Sequence, residues 1–401
     1  MKSNRLITFL LLPALICILI NCSQDNQTTN APTSLPEPTF TPASVSNNPT
    51  PTESLPKPKA TEPLPAPTAT VMKSSTPSPT PTRIRKPTFT PVITDNATIL
   101  GTIKFQVEAQ KVVTAAELGQ SSIVGPSLIE TEDGHYRLYI QARAEKNNEN
   151  MSGVNILSLI SDDGINWNYE PGIRISHGAD SDVDAEAGEP GVYLGPDNKY
   201  HMAYTGRFMG KNKAGKDQKM HRVVFAMSED GLTWTKLNQH YSDPENINDF
   251  ASSAEVTIID GEYVIYYTGQ RNIIRATSND GISWNREEIA FKTGHDSTMI
   301  KIDDTYYMFW NMPREMVYGR NPDTKQDVLF MALSSDGVHW SRDYYQLAIE
   351  KPDGSKLAAQ EIQDPGAILI ADGSLRIFLN DLGGKSIYSI KPMTTLPKLD
   401  P

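Results

Sequence analysis

The sequence predicts an all-β fold: a five-bladed β-propeller of four-stranded antiparallel blades, preceded by a disordered Pro/Thr-rich linker. Three observations lead there. A seven-residue phrase, Ser-x-Asp-Gly-x-x-Trp, recurs at Ser161, Ser228, Ser278 and Ser334. A unit of apolar strand, tight turn and aromatic strand recurs five times. The composition also breaks sharply near residue 95, so only the later part of the chain has a core to build. Self-similarity at a period of several tens of residues marks a repeat architecture. An Asp-Gly turn followed by Trp reads as a β-hairpin opening its second strand.

The N-terminus is a targeting segment and takes no part in the fold. Lys2 and Arg5 are basic, and 6–20 is apolar apart from Thr8. The stretch is too short for a comfortable membrane span. It ends at Leu19-Ile20-Asn21-Cys22, which resembles a bacterial lipobox with Cys22 as the lipidated residue, although Asn21 stands where a small residue is usual. The expected location is therefore extracytoplasmic, on the cell envelope, with the membrane met only through this anchor. An ordinary secretory signal or an uncleaved anchor is the alternative. Both cysteines, Cys17 and Cys22, lie in this segment, so the folded part can use neither disulfides nor thiolate chemistry.

Residues 23–95 form the linker. Sixteen of the 29 prolines fall between Pro32 and Pro91, mixed with Thr, Ser and Ala. Such a tract cannot bury enough apolar surface to fold and stays extended. Residues 96–401 then form one large domain. It carries 29 basic and 43 acidic residues, a net charge of −14. That sign argues against nucleic acid as a partner. A single copy is the expected unit.

The paired strands that count the blades begin at Pro126, Pro190, Val256, Ser297 and Pro365. Their turns are Asp133-Gly134, Asp197-Asn198, Asp260-Gly261, Asp303-Asp304 and Asp372-Gly373, residues suited to two-residue hairpins. Third strands follow at 155–160, 222–227, 273–277, 328–333 and 386–390. The fifth unit lacks a fourth strand, and 98–109 has the alternation to supply it. A six-bladed sialidase-like ring is the rival, since those proteins carry a similar box. There, however, an extra residue separates Asp from Gly, and no sixth unit is present here.

The loud repeat is expected on the rim away from the chemistry, with Ser and Asp oxygens tying each turn and Trp packing between blades. The entry to strand one is more informative. Aligning the five units by sequence places Gly125, Glu189, Glu255, Asp296 and Asp364 together at the central funnel. Crowded carboxylates push one another's pKa values apart and so provide a proton donor beside an ionised base. Loop capping or a structural cation is the plainer reading.

Arg143, Arg207, Arg271 and Arg314 lie near the ends of the second strands. They are suited either to sugar hydroxyls and carboxylates or to neutralising the acids. Trp310 is a candidate platform for a sugar face, and His295, beside Asp296, is the candidate funnel histidine. The acids of 180–186 alternate as in a calcium loop but lack its turn glycine. A structural calcium ion is thus the one cofactor left open, no other is expected, and the histidines show no metal-ligand spacing.

The (Asp/Glu)-Pro strand starts, the hairpins and the Ser-x-Asp-Gly-x-x-Trp phrases together resemble the five-bladed glycoside hydrolases of families 43 and 32 over about 98–393. That resemblance implies a carbohydrate substrate and acids at the strand starts of the first three blades. They would be a base or nucleophile, an orienting acid and a general acid. Carried over by position, Glu255 matches the general acid and Glu189 the orienting residue, where Asp is usual. Gly125 leaves the base unassigned, with Asp296 and Asp364 as candidates. The alternative is a propeller lipoprotein that binds carbohydrate without cleaving it.

Overall fold

A computed structural model describes residues 97–145, 153–313, 327–355 and 362–399. The signal segment, Cys22 and the linker lie outside the described residues, as does Arg314. The described residues are all-β, with no α-helix among them. After β1 (Thr98–Thr114), the chain runs through β2 (Gln120–Glu130), β3 (Tyr136–Ala144), β4 (Val154–Ser161) and β5 (Asn168–Ile175). Next come β6 (Glu186–Leu194), β7 (Tyr200–Lys211), β8 (Asp217–Ser228) and β9 (Thr235–Tyr241). They are followed by β10 (Ser252–Ile259), β11 (Glu262–Gly269), β12 (Asn272–Ser278) and β13 (Asn285–Phe291). The last strands are β14 (His295–Ile302), β15 (Thr305–Pro313), β16 (Asp327–Ser334), β17 (Asp343–Glu350), β18 (Gln363–Leu369), β19 (Leu375–Asn380) and β20 (Ser386–Pro392).

Strands β2–β5, β6–β9 and β10–β13 form three separate four-stranded antiparallel sheets. The remaining strands form one eight-stranded sheet in the order β14-β15-β16-β17-β1-β20-β19-β18. In it β1 is the joint. Its first half pairs parallel with β17, from Thr98 against Asp343 to Gln106 against Glu350. Its second half pairs antiparallel with β20, from Phe105 against Pro392 to Thr114 against Ser386. The opening strand thus completes the run that the closing strands leave one short, and it covers two sheet edges at once.

The first strands of the five runs touch in succession: β2 meets β6, β6 meets β10, β10 meets β14, β14 meets β18, and β18 returns to β2. Apolar side chains fill the spaces between neighbouring sheets. One cluster joins Ala203 and Phe225 to Val256, Ile265 and Ile274, and another joins Tyr266 and Phe291 to Trp310, Phe330 and Tyr344.

The repeated hairpin phrase is explained by its hydrogen bonds. In each copy the Ser hydroxyl accepts the Gly N–H at 2.8–2.9 Å, and the Asp Oδ1 accepts the next two N–H groups at 2.7–2.9 Å. The glycines have φ of +69° to +72°, a left-handed turn that a side chain would strain. The Trp then packs on the neighbouring sheet. Trp234 meets Tyr139, Trp340 meets Tyr266 and Trp167 meets Phe378, each edge-on at 5.4–6.0 Å. Two of these contacts are pinned by hydrogen bonds. Tyr139 donates to the Gly231 carbonyl and Tyr266 to the Gly337 carbonyl, both at 2.6 Å, while Trp340 Nε1 donates to the Tyr266 hydroxyl at 2.9 Å.

Tyr266→Phe should therefore cost about 1–3 kcal/mol, since it leaves a buried carbonyl and an indole N–H unpaired. Phe378 shows that the position accepts a bare ring, so the variant should fold. A urea midpoint equal to the parent's would remove these bonds from the stability argument.

Candidate active site

Each first strand carries an irregularity at the same place. The pairing register slips between Val124 and Ser127, Gly188 and Gly191, Ser252 and Glu255, His295 and Ser297, and Gln363 and Gly366. Within each slip one residue is left-handed: Gly125 (φ +62°), Glu189 (+44°), Ser253 (+47°), Asp296 (+49°) and Asp364 (+55°). Bulges of this kind re-aim a side chain. A left-handed backbone costs a non-glycine residue roughly 1–2 kcal/mol. Four non-glycine residues accept that cost around one centre, a pattern associated with functional sites.

This register corrects the sequence alignment. The third member of the ring is Ser253, not Glu255, which lies two residues further along β10 and faces Tyr266 across the ladder. It occupies the seat of Ser127 in β2 and Thr298 in β14. Those hydroxyls accept an N–H from the next sheet, Val192 at 3.0 Å and Ala367 at 3.2 Å respectively. Glu255 does the same with its carboxyl, which accepts the N–H of Met299 and the hydroxyl of Thr298. The signal that would have found Ser253 is spacing. The ring residues stand seven or eight positions before their hairpin turns, whereas Glu255 stands five before Asp260.

The ring is held from behind by polar side chains of the preceding sheet. Asn380 Oδ1 accepts the Gly125 N–H at 3.0 Å, Thr205 Oγ1 the Ser253 N–H at 2.8 Å, and Thr268 Oγ1 the Asp296 N–H at 2.9 Å. The repeated Tyr-Thr-Gly of β7 and β11 supplies two of these. Gly125, Glu189, Ser253, Glu255, Asp296, Ser297 and Asp364, with flanking prolines, line a cavity of about 30 Å³. That holds about two waters, so a sugar would meet the ring from its open side.

The four carboxyls differ in charge state. Glu189 forms an ion pair with Arg207 and accepts a hydrogen bond from Ser253 Oγ at 2.9 Å. Arg207 is buried and also donates to Gln141 Oε1 at 2.9 Å. Burial opposes ionisation of Asp296, but the charge and hydrogen bond of His295 (Nδ1 to Oδ2, 2.5 Å), with bonds from Asp364 and Ser253, hold it below the usual carboxylate range. Asp364 is pushed well above that range by burial, by the charge of Asp296 and by their shared hydrogen bond. One proton thus sits between two carboxyls, on Asp364. Glu255 is raised to about 8 by burial, against the weaker opposing pull of Met299 and Thr298.

The remaining sequence candidates divide. His295 is brought to the ring through Asp296 and Arg207 through Glu189. Arg143 is largely exposed and stands 3.5 Å from Glu186, and Arg271 is exposed. Trp310 is not a sugar platform: it is fully buried, 4.4 Å from Phe291 and 4.9 Å from Tyr344 between ring centroids. The acids of 180–186 are engaged singly, Asp184 with Tyr204 and Lys236 and Asp182 with the Ala179 N–H. Among the described residues no cluster of His, Cys, Asp or Glu could hold a metal. His221, which the sequence offered only as a histidine without metal-ligand spacing, faces Arg207 across the β7–β8 ladder and stacks on Phe250 at 4.5 Å. Burial, aided by the charge of Arg207, pushes it down to about 4, so it is neutral at pH 7.

No protein-family model and no curated protein matches the chain. Solved structures do. A glycosyl hydrolase from Bacteroides ovatus superposes with a TM-score of 0.56 at 13% identity, over 74% of this chain and 96% of its own. A family 117 glycoside hydrolase from Zobellia galactanivorans gives 0.52 at 15% identity, over 72% and 90%. A structure reported for the GH130 family of mannoside phosphorylases, as containing hydrolases of β-1,2-mannosidic linkages in Candida mannan, gives 0.54 at 14%, over 78% and 99%. The chain shares the fold of these glycoside hydrolases.

Glu255 makes stability depend on pH with a definite sign. Its carboxyl ionises near 4.5 in the unfolded chain and near 8 in the fold. The unfolded state therefore sheds the proton first, and stability falls as pH rises through that window. Relative to the parent, Glu255→Gln should gain melting temperature between pH 4.5 and 8. A difference that stays constant across the window would contradict the assignment.

Proposed function

We propose that the chain is an extracytoplasmic glycoside hydrolase whose five strand runs are the blades of a β-propeller, acting on poly- or oligosaccharides at the central funnel. The observation that carries this reading is the coexistence, on one cavity, of protonated Glu255 and Asp364 with ionised Asp296. Hydrolysis of a glycosidic bond needs these two states in two carboxyls.

Glu255 is the better donor. Met299 and Thr298 already donate to its oxygens, so its own O–H is left for the cavity, whereas the proton of Asp364 is tied to Asp296. In this scheme Glu255 passes its proton to the glycosidic oxygen as the C1–O bond breaks. Asp296, set by His295, Ser253 and Asp364, takes a proton from attacking water or attacks C1 itself. Product stereochemistry separates those two courses. Arg207, paired with Glu189, would fix that carboxylate at the cavity for a sugar hydroxyl. Lipidation at Cys22 and the linker of 23–95 would hold the domain away from the membrane.

A second reading, binding without turnover, draws on Gly125. This seat carries no acid, and a Cβ there would press on the Glu189 Cα at 3.3 Å. Aryl glycosides and plant polysaccharides, tested across pH with the parent and four variants, decide between the two. Glu255→Gln should lose 10²–10⁴-fold in turnover. The parent's activity should be full below about pH 8 and fall above it, as Glu255 loses its proton. Asp296→Asn and Asp364→Asn should also be impaired. Ser253→Gly should keep or raise the melting temperature, because glycine relieves the left-handed strain, while still losing activity. Turnover unchanged in Glu255→Gln and Asp296→Asn would refute hydrolysis at this site, and glycan binding with no turnover would establish the second reading.

A further inference from the structure

The packing of the hairpin tryptophans is regular at three interfaces and different at the fourth. Trp234, Trp340 and Trp167 each meet an aromatic from the second strand of the neighbouring run: Tyr139, Tyr266 and Phe378. These three occupy one seat, opposite Ser127, Glu255 and Gly366 on their first strands. In β7 the same seat, opposite Gly191, holds Ala203. The aromatic has moved one strand outward, to Phe225, which pairs with Ala203. Trp284 lies flat on Phe225, at 5.9 Å and 9°, instead of edge-on.

The exception coincides with a cavity of about 240 Å³ between the second and third runs. It is distinct from the carboxyl ring and lies beside the Asp280-Gly281 turn. Tyr193 and His201, stacked at 5.3 Å, and Phe225 come from the second run, and Tyr263, edge-on to Tyr193 at 6.3 Å, from the third. Gln239 lines it with a buried Oε1 that has no partner. Asp280 lies in its wall, held below the usual carboxylate range by the N–H groups of Ser283 and Ile282, and Asp197 grips His201 at 3.0 Å. Drug-sized ligands need about 300 Å³ or more, so this space suits a smaller one. Aromatic faces suit the C–H face of a sugar ring, and an amide with a carboxylate suits its hydroxyls. Two nearby carboxylates disfavour an anion.

We infer that the crevice between the second and third runs is a second ligand site, taking one neutral pyranose unit of a glycan. The choice of sugar over other small rings rests on the glycan reading of the ring, and the site would hold a chain that the funnel acts on elsewhere.

The test is saturation-transfer NMR on the full chain with methyl glucoside, galactoside, mannoside and xyloside, with choline and inorganic phosphate as class controls. Tyr263→Ala removes one of the aromatic faces that line the pocket, at a partly buried position. Gln239→Leu, on a partly exposed strand, removes the free acceptor without filling space. Each should weaken binding of at least one glycoside tenfold or more, while funnel turnover or binding stays at parental level. Glycoside binding insensitive to both variants would overturn this inference and leave the funnel reading intact. Binding of choline in preference to every glycoside would overturn the ligand class. Failure of all four glycosides to bind, while polysaccharide turnover persists, would overturn the site; if turnover is also absent, both readings fall.

Discussion

The structure depends on a constraint at the innermost strands, where five β-strands converge and each takes one backbone step into left-handed space. That step turns a side chain out of its ladder and toward the common centre. A regular strand would send successive side chains alternately to its two faces, into the packing between sheets. The slip in register gives four of the inner strands one side chain that belongs to neither face, while Gly125 makes the same step without one. Side-chain oxygens from the preceding sheet hold three of these steps in place, so the geometry of the centre is set by contacts between sheets as much as within them.

The same constraint separates structural from chemical work. At the turn rim, Ser, Asp, Gly and Trp satisfy backbone groups and fill the crevices, and their acids are committed to N–H donors. At the centre, buried acids face one another with donors unevenly shared among them, and their proton affinities spread. Asp163 and Asp364 illustrate the contrast. N–H groups and side chains around the first hold it ionised, while burial beside another carboxylate keeps the second neutral. Residue type alone does not distinguish these roles; the local supply of hydrogen-bond donors does.

Much of this was legible in the sequence, because the turn chemistry is local. The Asp-Gly phrases and the aromatic strands announced their own hairpins, and the alternation in 98–109 marked a strand that could join the last run. Long-range consequences were less legible. Glu255 took the place of Ser253 in the alignment because an acid attracts attention and a serine does not. The bulge that settles the matter is a property of pairing between strands. Trp310 looked available because it stands outside the repeated phrase, yet its neighbours Phe291 and Tyr344 come from other strands and enclose it. The pairing of Asp296 with Asp364 likewise joins residues far apart in sequence.

The dual pairing of β1 has a consequence for how the protein is made. This strand is the first of the described strands in chain order, yet its partners are β17 and the last of them, β20. Until the chain is nearly complete, β1 has hydrogen-bonding edges and nothing to pair with, and such long-range closure is slow. The four intervening runs can form in order, each on its predecessor, while β1 waits. Assembly of the described strands thus ends with a ring-closing event that joins the first of them to the last, and a product that stopped short of β20 would keep an open edge that marks it as unfinished.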